Sequence, residues 1–226
     1  MEVLTIMERG KFQLFKIILG VLSCALLMAM SASADVTLPK PTTNGGEGIF
    51  DLIQRRASGA RDNFPKGAIS DEELSTILWA ATGINRGRSD KAWTIPTAGG
   101  LPPYVEVYAV KNDGVYLYDW KAHALTTVSD KNALGDITND SFVKESPVVL
   151  ILVSDTANLG AMGRLNEGNA LAYIATGAMS QNIYLAADTL GISTRYMVSM
   201  NTDGVKRELK LTSDGTPLCV LPLGKR

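Results

Sequence analysis

Leu74, Ile77, Leu78 and Ala81 recur at three- and four-residue spacing directly after Ser70-Asp71-Glu72-Glu73. That spacing lays one apolar stripe along a helix. The Ser-x-x-Glu step is a capping box, which satisfies the first free N–H groups, and Gly83 can close the helix. Trp79 borders the stripe and reads as packing more readily than as a cofactor contact. Val105 to Val110 and Val115 to Tyr118 alternate apolar and polar positions around Lys111-Asn112-Asp113-Gly114. A period of two and an Asp-Gly step predict a hairpin. The unbroken run Val148 to Val153 predicts a buried central strand. Residues 166–190 predict a long helix stopped by Gly191. Ala170-Leu171-Ala172-Tyr173-Ile174-Ala175 and Leu185-Ala186-Ala187 are apolar nearly all round, the pattern of a buried helix.

Weaker patterns fill the rest. Residues 49–57 predict a short amphipathic helix with Ile49, Phe50 and Ile53 on one side. A strand near 195–200, an amphipathic stretch over 205–211 and a strand at Leu218–Leu221 follow, while 119–140 carries little beyond a helix around 130–136. Helices and strands mix without regular βαβ alternation. The fold class is therefore α+β, with helices packed on a mainly antiparallel sheet.

The N-terminus differs from the rest. Lys11 and Lys16 precede an apolar run from Ile17 to Met30, and Ser31-Ala32-Ser33-Ala34 offers an A-x-A site. Residues 1–34 thus read as an export signal cleaved between Ala34 and Asp35, which predicts a periplasmic protein. The run falls short of the roughly 20 apolar residues a membrane-spanning helix needs, so an uncleaved anchor is the alternative. Val21-Leu22-Ser23-Cys24 is a poor lipoprotein site, and no arginine pair precedes the apolar run. Residues 35–48, rich in Pro, Thr and Gly, read as a linker without fixed structure. The domain proper is expected over 49–226.

The 226 residues are 46% hydrophobic and 20% charged, an ordinary globular balance, with a net charge of −1. A pI near 5.9 lacks the basic footprint of nucleic-acid binding. Past the signal, Cys219 is the only cysteine, so an intrachain disulfide is excluded. Its place in Leu218-Cys219-Val220-Leu221 makes it a buried small hydrophobe rather than a nucleophile. One histidine, His123, and one cysteine cannot build a metal centre of the usual spacing. His123 reads as a surface or turn residue. No G-x-S-x-G elbow accompanies it, and no glycine-rich phosphate loop is present. Glu72-Glu73 is explained by the helix dipole.

Arg55-Arg56-Ala57-Ser58-Gly59-Ala60-Arg61-Asp62-Asn63-Phe64 places fixed cations among small residues. Arginine offers a rigid donor fork for phosphate and electron-rich ring oxygens. A charge run of this kind is, by itself, most often a solvated face. Residues 84–103 form a long loop rich in Gly and Pro, a length typical of functional loops. Scattered cations with little acid–base machinery suit a protein whose organic cofactor carries the chemistry. An FMN needs cations for its phosphate and a donor near N1 and O2 of its ring.

The order of these motifs resembles the FMN-dependent nitroreductase superfamily, closest to the subgroup that includes the dehydrogenases of thiazole/oxazole peptide maturation. The family's R-R-S-x-R-x-F element is similar to Arg55 through Phe64, with either Ala57 or Ser58 in the serine place. Its L-L-W-A-x-x-G helix resembles Leu78-Trp79-Ala80-Ala81-Thr82-Gly83. Its P-S-A-G-x-x-x-P loop resembles Pro96-Thr97-Ala98-Gly99-Gly100-Leu101-Pro102-Pro103. Gln181 through Ile192 resembles its Q-N-L-x-L-A-A-x-x-L-G-L helix. Pro222-Leu223-Gly224-Lys225-Arg226 resembles its closing P-V-G with basic residues.

The resemblance implies a homodimer with FMN at the subunit interface. It implies that Arg55 and Arg56 bind phosphate or ribityl, that Ser58 belongs to the cofactor site, and that Arg61 sits near the N1/O2 edge. It further implies that Pro96, Thr97, Ala98 and Gly99 contact the ring from the partner subunit, and that Lys225 and Arg226 close on the phosphate. A frayed basic terminus is the plain alternative for the last pair. Gln181 and Asn182 read as packing amides. The activity implied is two-electron, ping-pong reduction of a small electron acceptor, a nitro compound or quinone. NAD(P)H is the family's usual reductant, but it is scarce in an exported compartment. A flavin-binding member without turnover, acting as carrier, sensor or assembly partner, is the alternative. Azoline oxidation needs partner enzymes and a Lys-Tyr pair that the sequence does not place.

Overall fold

The computed structural model describes residues 35–87 and 92–226. The expected signal at 1–34 lies outside the described residues, as does part of the loop after Asn85. Among the described residues no helix is long and apolar enough to cross a membrane.

Among the described residues seven strands form one antiparallel sheet: β1 (Asp35–Thr37), β2 (Val105–Lys111), β3 (Gly114–Asp119), β4 (Ala124–Ser129), β5 (Val148–Asp155), β6 (Ile192–Thr194) and β7 (Gly215–Lys225). Their spatial order is β1-β4-β3-β2-β5-β7-β6. The sheet and its flanking helices make the α+β architecture expected from the pattern. β5 is an interior strand between β2 and β7, and Val148 to Ser154 are buried, which is why its sequence lacks alternation. β2 and β3 form the expected hairpin, with Lys111 opposite Gly114 across the turn.

Two long helices cover one face: α2 (Asp71–Thr82) and α5 (Ala170–Thr189). Leu74, Ile77, Leu78 and Ala81 of α2 pack with Ala172, Met179 and Ile183 of α5 against Val105, Val107, Leu150 and Leu152. The capping box forms as expected: Glu73 N–H donates to Ser70 Oγ, and Ser70 N–H to the Glu73 carboxylate. Short helices α3 (Leu134–Ile137), α4 (Ser141–Lys144) and α6 (Thr202–Glu208) cover the other face. Leu134, Phe142, Val143, Val205 and Leu209 meet Tyr108, Val110, Ile151 and Val220 there.

Several expectations are corrected. Residues 35–48 are tied down rather than free. β1 pairs with β4, Leu38 is buried, the Pro39 carbonyl accepts from Ser75 Oγ at 2.6 Å, and Thr42 N–H donates to Thr76 Oγ1 at 3.0 Å. A polar segment without periodicity reads as a linker, yet here the side chains of α2 satisfy its backbone. Helix α1 (Ile49–Arg55) forms, but Ile49, Phe50 and Ile53 are exposed, and Leu52 is the buried residue. α5 starts at Ala170 and is not buried all round: Tyr173 and Ile174 face outward. The strand expected near 195–200 is β6 at 192–194, followed by a lone bridge between Met197 and Val220. β4 escapes the sequence reading altogether. His123 is a turn residue but not a surface one. It is half-buried, with Nδ1 2.8 Å from the Tyr118 hydroxyl, and Nε2 2.8 Å from Ser75 Oγ and 3.1 Å from the Pro39 carbonyl. Cys219 is free and fully buried, as expected.

Candidate functional site

The C-terminal end of α5, the end of β7 and the loop after α1 meet at one point. Asp188, in the last turn of α5, binds two arginines. Arg55 Nε donates to its Oδ2 at 2.6 Å, and Arg226 donates to its Oδ1 at 2.8 Å and to its backbone carbonyl at 3.1 Å. The two terminal nitrogens of Arg55 hold the Glu47 carboxylate. These pairings, Glu47 first, push the Arg55 guanidinium above its ordinary range. Burial alone would raise the Asp188 carboxyl, but the two arginines outweigh it and hold it below the usual carboxylate range.

Beside this tie lies a pocket of about 100 Å³, lined by Arg55, Ser58, Gly59, Tyr184, Thr194 and Arg226 among others. Ser58 Oγ lies 2.8 Å from the Tyr184 hydroxyl, which also accepts the Tyr196 N–H at 2.7 Å. Either hydroxyl can donate to the other, and when Tyr184 donates, the Ser58 proton is free for another oxygen. Two further cations flank the pocket. The Arg56 guanidinium lies over the Tyr184 ring at 5.1 Å, and Arg195 donates to the Gly59 carbonyl at 2.9 Å. Gly59 in turn donates to the Thr194 carbonyl at 2.9 Å, so β6 fixes the loop. A Cβ at Gly59 would come within 2.7 Å of the Phe64 ring, so no other residue fits without displacement.

The donor set fits a phosphate monoester. Four guanidinium groups stand in or beside the pocket, Arg55 and Arg226 paired with the Glu47 and Asp188 carboxylates, Arg56 over the Tyr184 ring and Arg195 on the Gly59 carbonyl. The excess of two positive charges matches a phosphate carrying about −2 at neutral pH. Thr194 Oγ1 is buried against this pocket and has no partner among the described residues. A buried hydroxyl left unpaired is costly, and a phosphate oxygen would satisfy it.

The other expected site residues lie apart. Arg61 pairs loosely with Asp140 at 3.7 Å and lies over the Phe142 ring at 5.8 Å. Lys225 is held by Glu73 at the start of α2. Gly224, just before it, approaches the backbone so closely that a Cβ would sit 1.8 Å from the Pro65 carbonyl. The Pro96–Gly99 loop sits at the opposite end of α5. Ala98 N–H donates to the Tyr104 hydroxyl at 3.4 Å, and that hydroxyl donates to the Leu171 carbonyl at 3.5 Å. Leu171 and Asp188 stand about 25 Å apart along the helix axis. One ligand cannot touch both regions of a single chain.

Sequence reasoning missed Asp188, Arg195, Thr194 and Glu47. Arg195, a cation just past the Gly191 helix stop, is the legible one, and Asp188 reads as an ordinary helix-end acid. Thr194 and Glu47 carry no signal.

A family model described as the nitroreductase family matches residues 52–225. A Methanocaldococcus jannaschii protein assigned to the nitroreductases is 28% identical over 187 residues, covering 77% of this chain and 89% of that protein. A Ralstonia eutropha JMP134 crystal structure with the same assignment has a TM-score of 0.76 at 24% identity, covering 86% of this chain and 90% of that one. The E. coli microcin synthetase McbBCD complex, with truncated pro-MccB17 bound, gives 0.60 at 19% identity, covering 84% and 77%. These two structures share the fold.

Proposed function

Because the chain belongs to the nitroreductase family, we propose that it is an FMN-dependent oxidoreductase that reduces a small nitro or quinone-type acceptor. The observation that carries this reading is the arginine-rich pocket with its unpaired Thr194 hydroxyl. FMN, when bound, supplies the two-electron chemistry, so no protein nucleophile is required. Arg55, Arg56, Arg195 and Arg226 would hold its phosphate, and Ser58 and Thr194 would donate to the phosphate oxygens. Arg61, more than half exposed, would place positive charge near the N1/O2 edge.

The ring-contacting Pro96–Gly99 loop would come from a second copy. A two-fold pairing with antiparallel α5 helices would bring each loop to the partner's arginine cluster. It would also bury the exposed Tyr173 and Ile174. In this reading the chain is an exported homodimer working by a ping-pong cycle, with NAD(P)H or another reductant as donor. The order of motifs supports a place near the thiazole/oxazole dehydrogenase subgroup. A second reading, a flavin-binding member without turnover, draws on one observation: carboxylates of Glu47 and Asp188 already engage all three Arg55 nitrogens.

The test is the visible spectrum of the purified full chain and cofactor release on denaturation, compared with Arg226→Ala. About one FMN per chain, weakened roughly tenfold by the loss of a charged hydrogen-bond donor, is expected. A colourless chain that takes up no added FMN rejects both readings. Bound FMN that no donor–acceptor pair can turn over leaves the second.

A further inference from the structure

β2 and β3 part company before their strands end. Their register runs from Lys111–Gly114 to Tyr108–Leu117 and stops, although β2 continues to Val105 and β3 to Asp119. Between the separated ends lies a cleft of about 260 Å³, remote from the arginine pocket and sharing none of its residues. That is somewhat below the roughly 300–1,000 Å³ of pockets for drug-sized ligands, so it suits a smaller molecule.

Two carboxylates line it, Glu106 and Asp119. Tyr108 donates to Glu106 Oε2 at 3.0 Å, and the Lys121 and Ala122 N–H groups donate to Asp119 Oδ1 at 2.7 and 3.1 Å. The second oxygen of each carboxylate lies outside those bonds. Burial pushes the Glu106 carboxyl up; the Tyr108 hydrogen bond opposes this and the nearby Asp155 charge adds to it, so a neighbouring cation would relieve the site. Independently, Thr82 lines the cleft while 98% buried, and its hydroxyl has no partner among the described residues. Trp120 forms an aromatic wall. Its ring already attracts a cation, since Lys121 Nζ lies 5.2 Å from the centroid.

We propose that this cleft binds a small organic cation, an alkyl ammonium or guanidinium compound about the size of a diamine. Its cationic end donates to the second oxygens of Glu106 and Asp119, which share one face of the sheet with Tyr108 and Leu117, and its methylene body passes between the parted strands to Trp120, where Lys121 now sits, and to the Thr82 hydroxyl on the α2 face. Lys121 is a competitor for that place. The single positive charge of Lys121 against two carboxylates leaves the lining net negative, which selects against anions.

Isothermal titration of the full chain with agmatine, and with butyrate as an anionic control, tests the assignment. Saturable agmatine binding without butyrate binding is expected. Glu106→Gln should weaken it about tenfold, as for a charge-assisted hydrogen bond, and Lys121→Ala should strengthen it about threefold. Should Glu106→Gln melt early, Thr82→Val carries the same test and should weaken binding about threefold. No agmatine heat, equal binding of butyrate, or agmatine affinity unchanged in the folded variants overturns the proposal.

Discussion

At the scale of single residues, Asp188 organises the arginine cluster. Its folded pKa is depressed, so below about pH 4 the unfolded chain binds more protons at this position than the folded one. Its contribution is therefore present above that pH and lost as the pH falls through the folded value. Asp188→Asn should flatten the acid limb of melting temperature against pH, and an unaltered limb would show that the bridge adds no stability. Burial pushes the Cys219 thiol up to about 12, and a protonated, enclosed thiol is inert. It should resist Ellman's reagent in the native chain and react after unfolding; fast native labelling would contradict its burial. Arg55, Ser58 and Arg226 were legible as site candidates because they stand in recognisable order. Their carboxylate partners were not, since nothing local distinguishes Asp188 from any helix-end acid or Glu47 from a loop residue. Lys225 shows the reverse. It was legible as a phosphate ligand, yet the capping residue Glu73 holds it.

At the scale of elements, periodicity separated what could be read from what could not. α2, the β2–β3 hairpin and β5 carry strong period-3.6, period-2 or continuous apolar patterns, and all three formed where expected. β1 has three residues and β4 keeps Thr126 and Thr127 half-exposed. Their pairing depends on tertiary contacts that no local pattern announces. The contact that secures this edge is His123, which links β3, α2 and the segment after β1. Burial lowers its pKa, with the Pro39 carbonyl opposing. A lowered folded value means stability is present above about pH 6.5 and is lost as the pH falls through the folded pKa. The chain should lose melting temperature as the pH falls below about 6.5, and His123→Gln should remove most of that slope. A slope unchanged in the variant would assign it to other groups.

At the scale of the whole molecule, the described residues keep more apolar surface than a lone domain needs. Phe50 is 84% exposed and Ile174 70%, with Tyr173, Ile49 and Ile53 about half exposed. They fall in two groups, one on α1 beside the C-terminal end of α5 and one on the first turn of α5, and exposed apolar groups of this kind mark candidate contact surfaces. Sedimentation of the full chain should give a dimer, and Ile174→Asp should shift it toward monomer and lower flavin content with it. A monomer that keeps its flavin would separate the cofactor site from assembly. The sequence hid this surface by looking too apolar: an all-round hydrophobic helix reads as core whether its outer face meets its own chain or another.

The Asp188 tie has a consequence for the order in which the chain matures. It joins Arg55 to Arg226, a pairing 133 residues from Asp188 on one side and 38 on the other. Contacts this remote in sequence form late, because the loop between them must first be closed. Until β7 has zipped against β5, Arg226 is absent from the pocket, and the cluster lacks one of its cations. A ligand that recognises the completed cluster then adds stability to the fully folded chain alone. Cofactor uptake would thus act as an inspection step, passing only molecules whose last strand is in place.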